Sequence, residues 1–181
     1  MIASKASRRY AKALLDFAIE QNKVEKVLND MTLIHDTIEQ SKELRFFLRN
    51  PVIKAEQKES VLEALFKKSI SEESWGFLTL LVEKARLDIL FGATVAFKQA
   101  YQKYAGILEI EVMYAEEPTD KQISSIKSHL ESKTGKTIII HKIKTPELMG
   151  GLVVKMNDTV IDCSVKFKLQ QLEQAFFKAA I

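Results

Sequence analysis

The sequence predicts an α+β protein in which an N-terminal six-helix bundle, residues 1–105, is followed by a small mixed α/β domain, residues 106–181. Valine, isoleucine and threonine make up 17 of the first 105 residues (16%) and 20 of the last 76 (26%), as expected where strands replace helices. The first part also contains only two of the six glycines and one of the three prolines. We therefore place the domain boundary near Gly106.

In the first part, apolar residues recur at helical spacing in six segments. The first helix follows a candidate cap at Ser4, the third must end before Asn50-Pro51 because proline disfavours helix in the preceding residue, and the fifth opens at Ser71. The predicted stripes are Ala6, Tyr10, Ala13, Leu14, Phe17 and Ala18; Val24, Val27, Leu28, Met31, Ile34 and Ile38; residues 43–48; Val61, Leu62, Leu65 and Phe66; Leu78, Leu81, Val82 and Ala85; and Leu90, Ala93, Phe97, Ala100, Tyr101 and Tyr104.

The fifth helix has a second apolar face. Phe77 and Leu80 lie off the stripe that contains Leu78 and Leu81. A helix that is apolar on two faces is either central in its domain or presents one face to a partner. Periodicity alone leaves both interpretations open.

The second part predicts the order β-α-β-β-β-α. Residues 108–112 alternate strictly between apolar and acidic, which indicates a half-buried strand. Thr119 and Gln122 match a capping box that opens a helix on Ile123, Ile126 and Leu130, ended by Gly135. Residues 138–140 predict a buried strand, and residues 152–154 and 160–161 predict a hairpin that turns at Asn157-Asp158.

The hairpin leads into a C-terminal helix. Gly150-Gly151 allows a sharp turn or a close approach to another segment, and Asp162 and Ser164 offer capping oxygens to the helix. The helix stripe comprises Leu172, Ala175, Phe176 and Ala179, with Phe177 and Ile181 off it. Aromatic residues at the end of the chain indicate either docking to a partner or closure of the local core, and the sequence leaves both interpretations open.

Other patterns argue against a catalytic, cofactor or metal site. Gly135-Lys136-Thr137 lacks the earlier glycine and the strand-loop-helix order of a phosphate-binding loop. The three histidines lie in separate elements, which argues against a metal site. The lone Cys163 has no nearby base, which argues against a catalytic thiol. A single cysteine also predicts no internal disulfide, which fits a reducing cytosol.

The sequence shows no secretory signal and no membrane-spanning run. The net charge of +3 is small and interleaved, which disfavours nucleic acid.

Several of these motifs together resemble the delta subunit family of bacterial F-type ATP synthase, the counterpart of the mitochondrial oligomycin-sensitivity-conferring protein. The resemblance runs from about Ser4 to Leu172, and Cys163 stands where the family usually has glycine. The motifs that carry it are Arg9-Tyr10-Ala11-Lys12-Ala13-Leu14, Asn50-Pro51, Leu80-Leu81-Val82 with Arg86-Leu87, Gly150-Gly151, Asn157-Asp158, Asp162-Cys163-Ser164 and Lys168-Leu169.

The resemblance implies a non-catalytic connector that joins the catalytic head to the peripheral stalk, resists rotor torque and lies at the cytoplasmic face of the cell membrane. The helical bundle would bind the N-terminal segment of an alpha subunit through Tyr10 and Ala13, which match the family's opening motif. Phe77 and Leu80, from the second apolar face, would line the same site. The second domain would bind the C-terminal end of the b subunit through a module of Gly150, Gly151, Asp162, Ser164, Lys168, Leu169, Leu172 and Phe176.

The alternative interpretation is a nucleic-acid-binding adaptor that uses lysine-rich helix faces. It lacks the clustered basic patch and the aromatic-lined strand that such proteins use.

Overall fold

The computed structural model describes residues 4–156 and 159–179, with side chains described as far as Phe176. The chain divides into two compact units, Met1–Tyr104 and Ala105–Ile181. The predicted turn at Asn157-Asp158 lies outside the described residues, as do the side chains of Phe177, Ala179 and Ile181. Over the described residues the chain forms eight α-helices and one four-stranded sheet, so the predicted α+β class is confirmed.

The first unit is helical. Its elements are α1 (Lys5–Glu20), α2 (Val24–Gln40), α3 (Lys42–Arg49), α4 (Ala55–Phe66), α5 (Glu72–Glu83), a single 3-10 turn (Leu87–Ile89) and α6 (Leu90–Tyr104). Three serines that precede α1, α3 and α5 accept the backbone N–H three residues on, which satisfies a free donor at each helix start: Ser4, Ser41 and Ser71. The fully buried side chains include Met31, Ile34, Leu78 and Phe97.

The apolar stripe predicted for α1 is partly wrong. The buried apolar face consists of Ala11, Leu14, Leu15 and Ala18, whereas Ala13 is exposed and Phe17 is 45% exposed. The packing of α1 against α6 selects the buried face, and the sequence of α1 is apolar beyond that face on both sides. The prediction therefore combined part of the core with an open surface. Leu65 on α4 and Tyr104 on α6 are likewise exposed rather than core residues.

Ala85 is not part of the α5 core stripe as predicted. The helix ends at Glu83, and Ala85 adopts a left-handed conformation with φ of 52°. The Ala85 N–H donates to Val82 O (2.9 Å) and the Arg86 N–H donates to Leu81 O (2.8 Å), which is a Schellman-type ending. Ala85 is therefore exposed beyond the end of the helix.

The second unit contains one sheet. Its elements are β1 (Ile107–Tyr114), α7 (Asp120–Thr134), β2 (Thr137–Lys144), a 3-10 turn (Pro146–Leu148), β3 (Leu152–Met156), β4 (Thr159–Asp162) and α8 (Val165–Ala179), which confirms the predicted order. The strand order is β2-β1-β3-β4, with β1 and β2 parallel and the other pairs antiparallel. The predicted capping box is present, because Thr119 and Gln122 exchange hydrogen bonds through side chain and backbone. The small core contains Ile110, Val112 and Ile138, covered by apolar residues of α7.

In this unit one prediction is wrong, and one alternative left open by the sequence is decided. The segment 138–140 is not a buried strand, because β2 is an edge strand that buries Ile138 and leaves Ile139 40% exposed. The stripe of α8 is not packed into the local core either, since Leu172 is 56% exposed and Phe176 is 74% exposed. Only α7 contributes helix side chains to the small core in the described residues.

Candidate partner-binding surfaces

An open groove of about 450 Å³ lies between α1 and α5 of the first unit. Its two walls follow the same helical spacing of i, i+3, i+4 and i+7. The lining consists of Tyr10, Ala13, Leu14 and Phe17 on α1 and Glu73, Gly76, Phe77 and Leu80 on α5, with Glu72 beside them. We name this surface the α1–α5 groove. The four residues that the sequence analysis assigned to partner binding on the first unit all line it.

The α1–α5 groove has a closed floor and open walls. Leu14 and Phe77 are 5% and 6% exposed, so they belong both to the core and to the groove floor. Phe17 and Leu80 are 45% and 40% exposed and form the rims. A contiguous apolar surface of this kind on a folded unit is typical of interaction sites.

Gly76 gives the α1–α5 groove its depth. It lies in the middle of α5, where glycine costs about 1 kcal/mol relative to alanine. A Cβ built on Gly76 would meet no heavy atom within 4 Å, so packing within the chain does not require glycine there. Gly76 was not among the residues predicted from the sequence to bind a partner, although a glycine inside an apolar helix is a recognisable signal.

We predict that Gly76→Leu stabilises the free protein but closes the α1–α5 groove. Helix propensity should raise the free energy of unfolding by about 1 kcal/mol, while the added side chain occupies the open space. Urea unfolding would measure the first effect and calorimetry with an amphipathic helical peptide the second. Gly76→Ala, which adds one methyl group, is the matched control and should keep most of the affinity. A Gly76→Leu variant with full affinity would contradict this account of the groove.

The N-terminal end of α5 makes one end of the groove acidic. Glu73 forms an ion pair with Lys23, and this hydrogen bond lowers the pKa of the Glu73 carboxyl and raises that of the Lys23 ammonium. Both groups therefore remain charged at neutral pH. Glu72 is exposed at the same helix start and lines the groove with a further negative charge.

A buried carboxylate holds the start of α5 against α2. Asp30 is 7% exposed, and its Oδ2 accepts hydrogen bonds from the Ser71 N–H (2.9 Å), the Ser71 hydroxyl and the Ser74 hydroxyl (2.7 Å). In the described part of the chain no lysine or arginine forms an ion pair with Asp30, so these three donors compensate its burial. Because α5 carries one wall of the groove, Asp30 fixes the wall from 41 residues away.

In the second unit, Gly151 permits a close approach of two segments. Its φ is 77°, and a Cβ built there would lie 2.4 Å from the carbonyl oxygen of Cys163. The Cys163 N–H in turn donates to Leu152 O (2.9 Å). Cys163 has no positive φ, so its backbone accommodates a side chain without strain.

Asp162 and Ser164 organise the start of α8. The Ser164 Oγ accepts the Phe167 N–H (3.1 Å), which is the geometry of a helix N-cap, and Ser164 is 1% exposed. Asp162 holds the capping residue itself, because its Oδ1 accepts the Ser164 N–H (2.8 Å) rather than an N–H of the helix. The Val165 N–H donates to Gly150 O (3.0 Å), so the glycine pair and the cap belong to one hydrogen-bonded junction.

We predict that Gly151→Ala destabilises the second unit by about 3 kcal/mol, because a left-handed residue and a backbone contact are both strained. Gly135→Ala is the matched control. Gly135 has a similar φ of 66° but no heavy atom within 4 Å of a built Cβ, so it should lose only about 1 kcal/mol. Hydrogen exchange of the β3, β4 and α8 amides would measure both effects. Equal losses in the two variants would show that the close approach costs nothing.

The junction leads to an exposed apolar stripe on α8. The stripe consists of Val165, Leu169, Leu172 and Phe176, with exposed fractions between 43% and 74%. Their spacing of four, three and four residues places them on one helix face. We name this surface the α8 stripe; the exposed Lys168 lies next to it in sequence.

Comparison with known proteins shows which family has this architecture. A model of the ATP synthase delta (OSCP) subunit family matches residues 6–176. The chain belongs to the ATP synthase delta (OSCP) subunit family.

Relatives across several bacteria support this assignment. The chain is 34% identical over 175 residues to the ATP synthase subunit delta of Chlorobaculum tepidum, covering 97% of each chain. It is 35% identical over 170 residues to that of Chlorobium phaeobacteroides, covering 94% of each. Among solved structures, it is similar to a chain of the Toxoplasma gondii mitochondrial ATP synthase hexamer, with a TM-score of 0.70, 25% identity and coverage of 96% of this chain and 98% of that one.

Membership in the delta (OSCP) family makes this chain a non-catalytic component of an ATP synthase. The resemblance predicted from the sequence is confirmed, and the nucleic-acid alternative has no support from the comparisons. Among the described helices, none combines the length and the apolar character that crossing a bilayer requires.

The described residues contain one group that could hold a metal ion. Ligand atoms of His35, Asp36 and Glu39 lie within 4.8 Å of one another on α2. The two acids are exposed, and His35 is used in packing: its Nδ1 lies 3.1 Å from Thr94 Oγ1 and its ring stacks on Phe91 at 4.8 Å. This histidine therefore joins α2 to α6 in the delta-family helical unit.

Proposed function

We propose that this chain is the connector between the catalytic head of an F-type ATP synthase and its peripheral stalk. The α1–α5 groove binds the N-terminal helical segment of an alpha subunit, and the α8 stripe binds the C-terminal end of the b subunit. The observation that carries the proposal is the presence of two exposed apolar surfaces on two units of one chain. A connector requires two independent attachment surfaces, whereas a single-partner protein requires one.

The α1–α5 groove suits an amphipathic helix. Its matched walls each extend over eight residues, so their ends lie about 10 Å apart along the helix at 1.5 Å per residue, which corresponds to two turns of a ligand. A ligand helix would place apolar residues at i, i+3, i+4 and i+7 over Leu14 and Phe77. Glu72 favours a ligand with a cationic side chain at that end of the groove, because unlike charges select orientation.

The mechanical role follows from the nature of the contacts. While the rotor turns, the head must not rotate with it, so the connector must stay bound under load. Several apolar anchors share such a load, and the affinity of such interfaces is set mainly by slow dissociation. Attachment through the b subunit places the connector at the cytoplasmic face of the cell membrane as a peripheral protein.

The proposal is tested by binding the full chain to two peptides from the same organism, one from the N-terminal end of the alpha subunit and one from the C-terminal end of the b subunit. Calorimetry should show that each binds while the other is present. Leu172→Asp on the α8 stripe should remove b binding only, whereas Gln171→Asp, on an exposed neighbouring position, should leave it unchanged. Competition between the two peptides for one surface would refute the connector role.

A second readout separates connection from chemistry. In reconstituted vesicles, Leu172→Asp should lower coupled ATP synthesis while hydrolysis by the detached head remains unchanged. Loss of hydrolysis in the detached head would instead assign the chain a direct role in catalysis. Retention on heparin at moderate salt, without binding of either peptide, would favour the nucleic-acid interpretation.

A further inference from the structure

A second cleft in the first unit has the opposite charge character to the α1–α5 groove. It consists of two adjoining cavities of about 440 and 190 Å³ that share Leu48, Arg49, Leu87 and Asp88. Both cavities are lined by α3 and by the 3-10 turn before α6. We name this surface the α3 groove.

The floor of the α3 groove is apolar. Leu48, Val82 and Leu87 are 2%, 6% and 4% exposed and provide buried aliphatic surface at its base. Pro51 and Ile53 of the α3–α4 connection extend this lining. The cleft is therefore suited to an apolar side chain, not only to a counter-ion.

The rim of the α3 groove is cationic. The two cavities are lined by one acidic side chain, Asp88, and by four basic ones: Arg45, Arg49, Lys58 and Arg86. Within the described residues, neither Arg49 nor Arg86 forms an ion pair. Lys58 donates a hydrogen bond to the carbonyl oxygen of Leu48 (2.8 Å).

Arg45 retains hydrogen-bonding capacity in the smaller cavity. Its Nη2 makes only long contacts with the carbonyl oxygens of Ile38 (3.5 Å) and Glu39 (3.4 Å), and its guanidinium lies 4.7 Å from the centre of the Phe91 ring. Its Nε is a buried donor with no acceptor in the described residues.

Ala85 adds apolar surface to the α3 groove. Alanine in a left-handed conformation costs about 1 kcal/mol relative to glycine, and glycine would end α5 equally well. The Ala85 side chain lines the α3 groove next to Arg86. The strained residue therefore adds a methyl group to the apolar lining, which glycine would not supply.

We propose that the α3 groove binds an acidic amphipathic segment of another polypeptide. An aliphatic side chain of that segment packs on Leu48 and Leu87, and flanking carboxylates pair with Arg49 and Arg86. Arginine suits this role because its planar guanidinium pairs with a carboxylate through two parallel hydrogen bonds. The acidic end of the α1–α5 groove repels such a segment, so the two grooves on one unit select ligands of opposite charge.

The first test uses two synthetic helical peptides with the same leucine face, one flanked by glutamates and one by lysines. Calorimetry with the full chain should show binding of the glutamate peptide, weakened by salt. Arg49→Gln with Arg86→Gln should reduce that affinity by at least about tenfold, because two charge-assisted contacts are lost. The control, Arg8→Gln with Lys26→Gln, removes the same charge from exposed positions outside the groove and should leave affinity unchanged.

Three results would overturn the proposal. They are equal binding of the lysine peptide, an unchanged affinity in the Arg49→Gln, Arg86→Gln variant, and equal binding of a polyglutamate without leucines, which would indicate a general anion effect. Ala13→Asp should not alter binding of the glutamate peptide, which separates this site from the α1–α5 groove. Tryptophan fluorescence from Trp75, the single tryptophan of the chain, verifies that each variant is folded.

The second test uses the assembled ATP synthase. A photo-reactive amino acid at position 86 should cross-link to a segment of a neighbouring subunit that carries at least two carboxylates around an aliphatic residue. A cross-link at the exposed position 26 is the control and should not capture that segment. Cross-linking at position 86 to a segment without acidic residues, or to none, would refute the proposal.

Discussion

Replacing Ala13 with aspartate should weaken binding of an amphipathic helix to the α1–α5 groove by roughly a hundredfold, or about 3 kcal/mol, because complex formation would bury an unpaired charge. Ala13 is exposed in the free protein, so the change leaves the core intact. Glu72 already places a negative charge at one end of the groove, whereas Glu73 is paired with Lys23, and a carboxylate at position 13 adds repulsion. Calorimetry with the N-terminal peptide of the alpha subunit measures the effect directly.

The matched control for this variant is Ala64→Asp. Ala64 is an exposed alanine within α4 and lines neither the α1–α5 groove nor the α3 groove, so the same chemical change should leave peptide affinity unaltered. Both variants should keep the unfolding midpoint of the parent protein within a small margin. A folded Ala13→Asp protein with full affinity would place the binding site for the alpha subunit elsewhere on the molecule.

Replacing Asp30 with leucine should reduce the free energy of unfolding by about 3 kcal/mol, because three buried donors at the start of α5 would lose their acceptor. The loss should also move the α5 wall, so the peptide of the alpha subunit should bind more weakly. Trp75 follows Ser74 directly in α5 and packs against the core, and its fluorescence should shift in the native state. Urea unfolding and the native emission spectrum measure the two effects separately.

Two further variants decide whether Asp30 acts through these hydrogen bonds. Asp30→Asn keeps one acceptor oxygen and should recover much of the stability, the native Trp75 spectrum and the peptide affinity. Asp36→Leu removes an exposed carboxylate from the same helix and should change stability by less than about 0.5 kcal/mol. If Asp30→Leu lost stability but retained the Trp75 spectrum and peptide affinity, Asp30 would be structural only and would not position the groove.

Local patterns in the sequence predicted the ends of the elements well. Ser71 and the Thr119–Gln122 capping box were identified from residue type and spacing, because a cap satisfies backbone donors within one turn of the same chain. The end of α3 before Pro51 was predicted for an equally local reason, the steric effect of a proline ring on the preceding residue. None of these features depends on which other element lies nearby.

Burial was predicted less well, for a physical reason visible in α1. Both the α6-facing side and the groove side of this helix are apolar, so periodicity could not tell a residue covered by the protein, such as Leu15, from one left exposed in the groove, such as Phe17. The sequence likewise could not show that Ile139 lies on an edge strand or that the α8 stripe is left exposed. Apolar residues that bind partners follow the same helical period as apolar residues that form a core.

The sequence by itself determined the α+β class, the order of the elements and several capping residues, because these depend on residue type and short spacing, and the resemblance of its motifs indicated the family. Only the tertiary structure decided that α1 and α5 form the two walls of one groove, that Asp30 holds Ser71 from 41 residues away, and that the cationic side chains of the α3 groove converge on a common apolar floor. Such pairings depend on how whole helices pack. Packing joins residues that are distant in the chain, and no local pattern records their contact.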